Sequence, residues 1–358
     1  MSSSFTYAKA GVDREQRAKS KAALKTLEQT YKHSHYGEVI QLPYGNIFPV
    51  GEKYFDLAIE GVGTKVLLAQ LANKYDTIGI DAVALAANDV IRSGAKPLAV
   101  ADNIHAHVSN PNLVAEWIKS IAKGADEAGC IVPSGEIGDV ADVIKGMSEG
   151  IGFDMVVACI GELGRSDIIF GNNIKSGDAV IGLRSSGIHS NGITLARKIL
   201  FKQWGGKYEP FEIPEGFDRE LVYEVLEPMA IYVKPFVKAA KKYEIRGAVH
   251  ITGDAYLKFD KLMLFSKEVG FEFDSFRPQP IFGLIQKVAE EIKVPITDEE
   301  MLKTFNMGWG FAVVVDKNEK DAVMNSFERD SIHAEQIGQV TYSKKIVAIY
   351  KGKKILLK

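Results

Sequence analysis

With 358 residues, 46% of them hydrophobic and 25% charged, the chain has the length of two domains and the composition of an ordinary globular protein. Its 44 Lys and Arg against 46 Asp and Glu leave a formal net charge of -2, which excludes a generally basic surface for nucleic acid or an anionic membrane. Phosphate-bearing ligands would have to be held by local lysines, backbone amides and metal. Cys130 and Cys159 lie in apolar runs, without metal-ligand spacing or a disulfide framework, and read as buried thiols. No run approaches the ~18 apolar residues of a membrane span, and the N-terminus lacks a signal-peptide core, so a cytoplasmic protein is expected.

In chain order, Arg14 to Tyr31 has a Lys/Arg-rich helical pattern that reads as a solvated helix or a mobile arm. Pro43-Tyr44-Gly45-Asn46 is a turn leading to an apolar strand, Tyr54 to Ile59. That strand ends in Glu60-Gly61-Val62-Gly63-Thr64-Lys65, a carboxylate, a glycine-rich turn and a lysine, before a helix over Val66 to Lys74. A second helix, Ile80 to Ile91, carries Asn88-Asp89, and the strand Pro97 to Asn103 ends near Asp102 and His105. Then come a helix, Asn112 to Ala128, a strand, Cys130 to Pro133, a turn at Ser134-Gly135-Glu136, and a β-rich run from Gly152 to Leu163. A polar connection around Gly171 to Asp178 places a domain boundary near residue 165.

The second half restarts with a strand, Ala179 to Leu183, that runs into Ser185-Ser186-Gly187-Ile188-His189-Ser190-Asn191-Gly192 and a helix, Ile193 to Phe201. Helices over Leu221 to Lys242, a strand at Ala248 to Ile251 before Thr252-Gly253-Asp254, a helix at Phe282 to Lys293, a strand at Phe311 to Val315 and a strand-like tail complete it. The residues imply two α+β domains, with no repeat and no Rossmann fingerprint.

Acidic groups and a lysine gather where strands stop and helices start. Helix N-termini attract anions and carboxylates hold the magnesium that triphosphate needs, so an ATP-using corner is one reading. Tight turns and a solvated polar helix face are the other. At Ser185 to Gly192 the density of hydroxyl and amide groups favours an anion cradle over simple helix capping.

Taken together, these stretches resemble the phosphoribosylformylglycinamidine cyclo-ligase (AIR synthetase) family of purine biosynthesis. The resemblance rests on Tyr7-Ala8-Lys9-Ala10-Gly11-Val12-Asp13, Gly61 to Lys65, Thr77 to Asp81, Asn88-Asp89, Gly94 to Leu98, Gly135-Glu136, Ser185 to Gly192, His250 to Gly253 and Thr304 to Gly308, in order. It implies a two-domain subunit. Residues 1–165 would form an ATP-binding and dimerisation domain whose sheet pairs with that of a second copy into a barrel, and residues 166–358 a layered, ferredoxin-like α/β domain. The implied reaction is ATP- and Mg²⁺-dependent closure of formylglycinamidine ribonucleotide to aminoimidazole ribonucleotide in a homodimer.

Carried over by position, the resemblance implies Glu60, Asp89 and Glu136 at the metal. Lys9, Lys25, Glu60, Gly61, Gly63, Thr64, Lys65, Asn88 and Glu136 would hold nucleotide. Ser185, Ser186, His189, Ser190, Asn191, Thr252 and Gly253 would hold the nucleotide substrate, and His189, Lys25 and Asp89 would act in catalysis. Two stretches depart from the family: Ser134 to Asp142, which lacks the threonine after Glu136, and Asp254-Ala255, where glycines are usual. Asp254 would repel a ribose phosphate unless Lys258 or Lys261 compensates. No cysteine precedes Cys130 and the chain ends Lys354 to Lys358, which argues against the selenophosphate synthetases and the hydrogenase maturation factors of the wider superfamily. A divergent ligase or kinase on another phosphorylated substrate, or a non-catalytic nucleotide-binding paralogue, stay open as alternatives.

Overall fold

The computed structural model describes residues 4–358 and is built on two sheets. The first comprises β1 (Ile40–Leu42), β2 (Gly45–Val50), β3 (Lys53–Gly61), β4 (Lys96–Ala106), β5 (Ile131–Asp139) and β6 (Phe153–Leu163), in the order β1-β2-β3-β6-β4-β5. Its neighbours are antiparallel except β4 and β5. Its helices are α1 (Arg14–Lys21), α2 (Lys65–Ala72), α3 (Ile78–Val90) and α4 (Pro111–Ala128).

Helix α3 is mostly apolar apart from Asp81, Asn88 and Asp89, and every residue in it is buried, as befits a helix inside a core. It packs on β3 and β6, and α4 crosses it closely: a Cβ on Gly79 would stand 2.3 Å from the Ile121 nitrogen. Only one face of the sheet is covered in this way. On β6, Phe153, Met155, Val157 and Cys159 are buried, whereas the alternate residues face the other side. On β3 that other side carries Leu57 and Ile59, 58% and 68% exposed, opposite Ile160 and Ala158.

The second sheet comprises β7 (Ala179–Arg184), β8 (Gly247–His250), β9 (Gly270–Phe273), β10 (Trp309–Val315), β11 (Ala334–Thr341), β12 (Ile346–Tyr350) and β13 (Lys353–Leu356), in the order β13-β12-β9-β11-β7-β10-β8. All pairs are antiparallel except β9 with β12. The unbroken apolar run of β10 is buried along its whole length. Helix α5 (Ile193–Leu200) follows β7 through the Ser185–Gly192 loop.

Three local expectations are corrected. Ser134-Gly135-Glu136 is no turn but the middle of β5, because its backbone pairs with Ala101, Asp102 and Asn103 of β4. The helical pattern from Arg14 splits into α1 and a 3-10 segment over 22–33. Helix α1 is also no loose arm: Asp13 caps it, Tyr7 donates its backbone N–H to Glu300, and Arg14 bonds Glu300, Lys303 and Thr304.

Candidate functional site

Strand alternation decides what the end of β3 presents. Leu57 and Ile59 face the uncovered side, so Asp56 and Glu60 point toward α3, whose last turn carries Asp89. The Asp89 carboxylate is held from two sides: Arg92 Nη2 lies 2.7 Å from Oδ2, and His250 Nδ1 lies 2.7 Å from Oδ1. Arg92 in turn donates Nε–H to the Asp89 carbonyl at 2.9 Å and stacks over Tyr44 at 4.8 Å. Lys258 donates to the His250 carbonyl at 3.1 Å and to the Thr252 hydroxyl.

These contacts set the charge states. Burial alone would push the Asp89 carboxyl up, but Arg92, the hydrogen bond from His250 and Lys258 together hold it below the usual carboxylate range. Glu60 goes the other way, pushed up to about 7 by burial and by the neighbouring Asp89 charge. Burial pushes His250 down to about 4 despite Asp89, so its ring is neutral and donates through Nδ1, with Nε2 unpartnered. Burial likewise pushes Lys258 down, to about 8, against the pull of Asp89. Asp56, nearby, is pushed up to about 6 by burial.

Two adjoining hollows, of about 200 and 600 Å³, share Tyr44, Glu60, Asp89 and Arg92 in their walls. Helix α1 closes the larger one with Arg14, Arg17 and Lys21. A pair of buried carboxylates facing a cation-rich cleft can bind a divalent ion together with phosphate oxygens. Among the described residues no three His, Cys, Asp or Glu groups are gathered as a metal site.

The expected nucleotide residues are not all brought here. Lys65 is fully buried, with Nζ 2.8 Å from Asp81 Oδ1 and 2.7 Å from the Glu227 carbonyl, so its charge is engaged inside the protein. Asn88, beside Asp89, turns the other way: its Nδ2 donates to the Ala230 carbonyl and its Oδ1 accepts from the Tyr232 N–H, both at 2.9 Å. Thr64 meets Thr194 hydroxyl to hydroxyl at 2.8 Å, where α2 and α5 begin. Gly61 is exposed at the end of β3, and Gly63 holds φ at 68° just before α2. Lys9 donates to the Ser4 carbonyl at 2.6 Å, and Lys25 stands exposed on the 3-10 segment, outside the hollow that α1 lines. Glu136 of β5 pairs with Asn103 of β4, and both are exposed, on the side of the sheet away from Glu60. The three expected metal ligands therefore divide, with Glu60 and Asp89 together and Glu136 apart.

The second polar loop is closed on itself. His189 is 2% exposed with φ at 66°, and its Nε2 accepts the Ser186 N–H at 3.2 Å while Nδ1 has no partner. Burial above all, with the nearby Lys65 ammonium opposing a further charge, pushes its pKa well below the usual histidine value, so the ring is neutral. Ser185 Oγ donates to Asn306 Oδ1 at 3.1 Å, and Ser186 Oγ to the Pro228 carbonyl at 2.6 Å. Ser190 and Asn191 are drawn inward as well, with Ser190 Oγ and Asn191 Oδ1 buried and Ser190 beside the Asp81 carboxyl. Thr252 and Gly253 lie next to Lys258 and Asn191.

Sequence reasoning missed Arg92, His250, Arg14 and Arg17. His250 stood in a quoted motif but read only as a strand end, and Arg92 lies three residues after Asp89, one helical turn on, where an ion pair is expected.

Comparison with known proteins follows the same division of the chain. Residues 46–163 match the family model described as AIR synthase related protein, N-terminal domain, and residues 175–351 the corresponding C-terminal domain. The phosphoribosylformylglycinamidine cyclo-ligase of Pyrococcus furiosus is 38% identical over 331 residues, 91% of this chain and 92% of that one. The enzyme of the same name from Methanocaldococcus jannaschii is 36% identical over 346 residues, 94% and 93% of the two chains. Among solved structures, the HypE–HypF complex aligns over 93% of this chain and 98% of its own, with a TM-score of 0.61 at 20% identity. Thermotoga maritima PurL complexed with ATP aligns over 88% and 44%, with a TM-score of 0.57 at 13% identity. At those identities the likeness is one of fold.

Proposed function

The chain belongs to the AIR synthase related family, with the phosphoribosylformylglycinamidine cyclo-ligases, and we propose that it closes formylglycinamidine ribonucleotide to 5-aminoimidazole ribonucleotide, with release of ADP and phosphate. The observation that carries this reading is the Glu60–Asp89 pair on the wall of a cleft whose lining also includes Arg92, Lys258 and, from α1, Arg14, Arg17 and Lys21. ATP, when bound, supplies the phosphoryl group that turns the formamide oxygen into a leaving group, which an internal amidine nitrogen then displaces.

Glu60 and Asp89 are the residues fitted to hold Mg²⁺, which takes one or two carboxylates plus phosphate and water oxygens. Arg92 and His250 fix the Asp89 carboxylate, so it meets an incoming cation without reorganising. Lys258 offers an ammonium to phosphate oxygens at the same wall. His189 works as a neutral hydrogen-bonding group that sets the Ser186–Asn191 loop, with Ser190, Asn191, Thr252 and Gly253 toward the ribonucleotide. Catalysis on this scheme is mostly alignment and charge neutralisation.

The dimer of the reading is supported by the uncovered sheet face. Leu57, Ile59 and Ile160 present apolar surface that a second sheet would bury, and Glu136 on that side would face the partner's edge of the site. We assign residues 1–165 to the ATP-binding and dimerisation domain and 166–358 to the ferredoxin-like domain. The test is purified protein with formylglycinamidine ribonucleotide, ATP and Mg²⁺, following ADP and aminoimidazole ribonucleotide together. Coupled appearance of both is expected; ATP binding without either product would move the assignment to another phosphorylated substrate or a non-catalytic paralogue.

A further inference from the structure

Between the helices Leu221–Val225 and Val233–Ala240, the segment from Glu227 to Tyr232 is neither helix nor strand. Its backbone groups are bonded all the same, and from both halves of the chain. Lys65 Nζ donates to the Glu227 carbonyl at 2.7 Å, and Asp81 Oδ1 accepts the Met229 N–H at 2.9 Å. Asn88 takes the Ala230 carbonyl and the Tyr232 N–H, both at 2.9 Å. From the other half, the Ser186 hydroxyl donates to the Pro228 carbonyl at 2.6 Å, and the Tyr232 hydroxyl donates to the Arg184 carbonyl at 2.8 Å. Six residues therefore strap the end of α3 to the start of the Ser185–Gly192 loop.

Asn88 and Tyr232 are both 0% exposed, and neither lines the two hollows at Glu60 and Asp89. Asn88 directly precedes Asp89 in the last turn of α3, and successive residues of a helix point about 100° apart. With the Asn88 amide bonded to the strap through both of its polar atoms, that turn cannot rotate, and Asp89 stays aimed at the cleft. Tyr232 serves the other end. A Cβ on Gly310 would run into both the Tyr232 hydroxyl and the His189 ring, so the two side chains crowd one place on β10. The Tyr232 ring also lies 5.6 Å from that of Phe311, which lies 6.0 Å from the His250 ring that bonds Asp89.

We propose that Asn88 and Tyr232 are positioning residues, which through this strap hold the Asp89 carboxylate in register with the Ser185–Gly192 loop. Neither touches a ligand. What they align, a metal-bound nucleotide and a ribonucleotide, rests on the cyclo-ligase reading. A reaction that proceeds by alignment loses about 10²-fold for a displacement of ~1 Å, even one caused far from the reacting atoms. The strap is the element through which such a displacement would pass between the two halves of the site.

The test compares the wild type, Asn88→Ala and Tyr232→Phe by calorimetric titration with ADP, with and without Mg²⁺, by steady-state kinetics and by urea unfolding. Tyr232→Phe removes one buried oxygen and is expected to lower kcat about tenfold or more, with KM for ATP and for the ribonucleotide unchanged. Asn88→Ala is expected to weaken ADP binding about tenfold in Mg²⁺ and to leave the Mg²⁺-free affinity as it was. Equal weakening with and without Mg²⁺ would make Asn88 a nucleotide contact and overturn its positioning role. A lower urea midpoint with wild-type kcat in Tyr232→Phe would make the strap a matter of stability alone, and would overturn it as well. Should Asn88→Ala fail to fold, the split between kcat and KM in Tyr232→Phe decides. Turnover by the wild type with every binding and kinetic constant unaltered in both variants would sink this inference and leave the cyclo-ligase reading intact. Loss of the Mg²⁺-dependent part in Asn88→Ala, in a protein whose wild type makes no aminoimidazole ribonucleotide, would do the reverse.

Discussion

Two polar stretches of similar composition behave differently in the folded chain. At the β3–α3 corner, Glu60 and Asp89 face a cleft, with Arg92 one helical turn on and His250 and Lys258 brought in from another part of the chain. At Ser185–Gly192, and at Lys65 and Asn88, equally suggestive groups bond to the protein itself: Lys65 to Asp81, Asn88 to Ala230 and Tyr232, Ser186 to Pro228. Lys65, which also donates to the Glu227 carbonyl, and Asn88 join the first sheet's half of the chain to residues near 230. The difference teaches that a motif can be dense in polar residues because it ties two domains together as well as because it meets a ligand.

The sharpest way to break the contrast is to remove one charge from each side. Asp89→Asn should lower turnover about 10³-fold or more, since a cation and its phosphates lose their fixed anchor, and a magnesium-dependent nucleotide titration should weaken in parallel. Wild-type activity in that variant would remove Asp89 from the metal site. Lys65→Met should act on the other quantity. Leaving Asp81 buried and unpaired costs about 3–5 kcal/mol, read as a lower urea midpoint, while KM for ATP in the folded protein stays unchanged. A raised KM at wild-type stability would return Lys65 to the phosphates. Adding Asp81→Asn to Lys65→Met should recover part of the lost stability, because no bare carboxylate remains.

A smaller effect is expected at the uncovered sheet. Ile59→Glu puts a charge into the face that the proposed sheet pairing would bury, and sedimentation should show the dimer replaced by monomer with the far-UV spectrum kept. An unchanged dimer would mean that the subunits meet elsewhere.

How far these sites were legible follows from the range of the forces involved. The strand ends, the helix with Asn88-Asp89 and the strand before the serine loop are local patterns, and periodicity suffices to find them. Asp89 was legible as a carboxylate at a helix end. Its partner His250 was not, being 161 residues away and brought in by the packing of β8 against the end of α3. The turn expected at Gly135 failed for a related reason: pairing with β4 overrides the local preference of Ser-Gly for turns. The same holds for Asp254: Lys258 and Lys261 were the expected counter-charges, but the cations in contact with it sit some 240 residues earlier in α1.

The mildest test of the contrast is pH, and its sign comes from Glu60. A carboxyl pushed up to about 7 in the folded protein, from an ordinary 4.5, binds its proton more tightly folded than unfolded. Its contribution to stability is therefore fully present below 4.5 and is lost as pH rises through 7. Asp56, at about 6, works in the same direction. A divalent cation reverses the demand, because it needs Glu60 as the carboxylate. Magnesium affinity should then fall by up to about tenfold per unit as pH drops below 7 and level off above it, and magnesium should raise the melting temperature more at pH 8 than at pH 6. Glu60→Gln should bind magnesium more weakly and flatten that slope. The Ser185–Gly192 loop offers no such slope, since His189 is buried neutral throughout this range, so a slope that survives in Glu60→Gln would place the titrating ligand outside the corner.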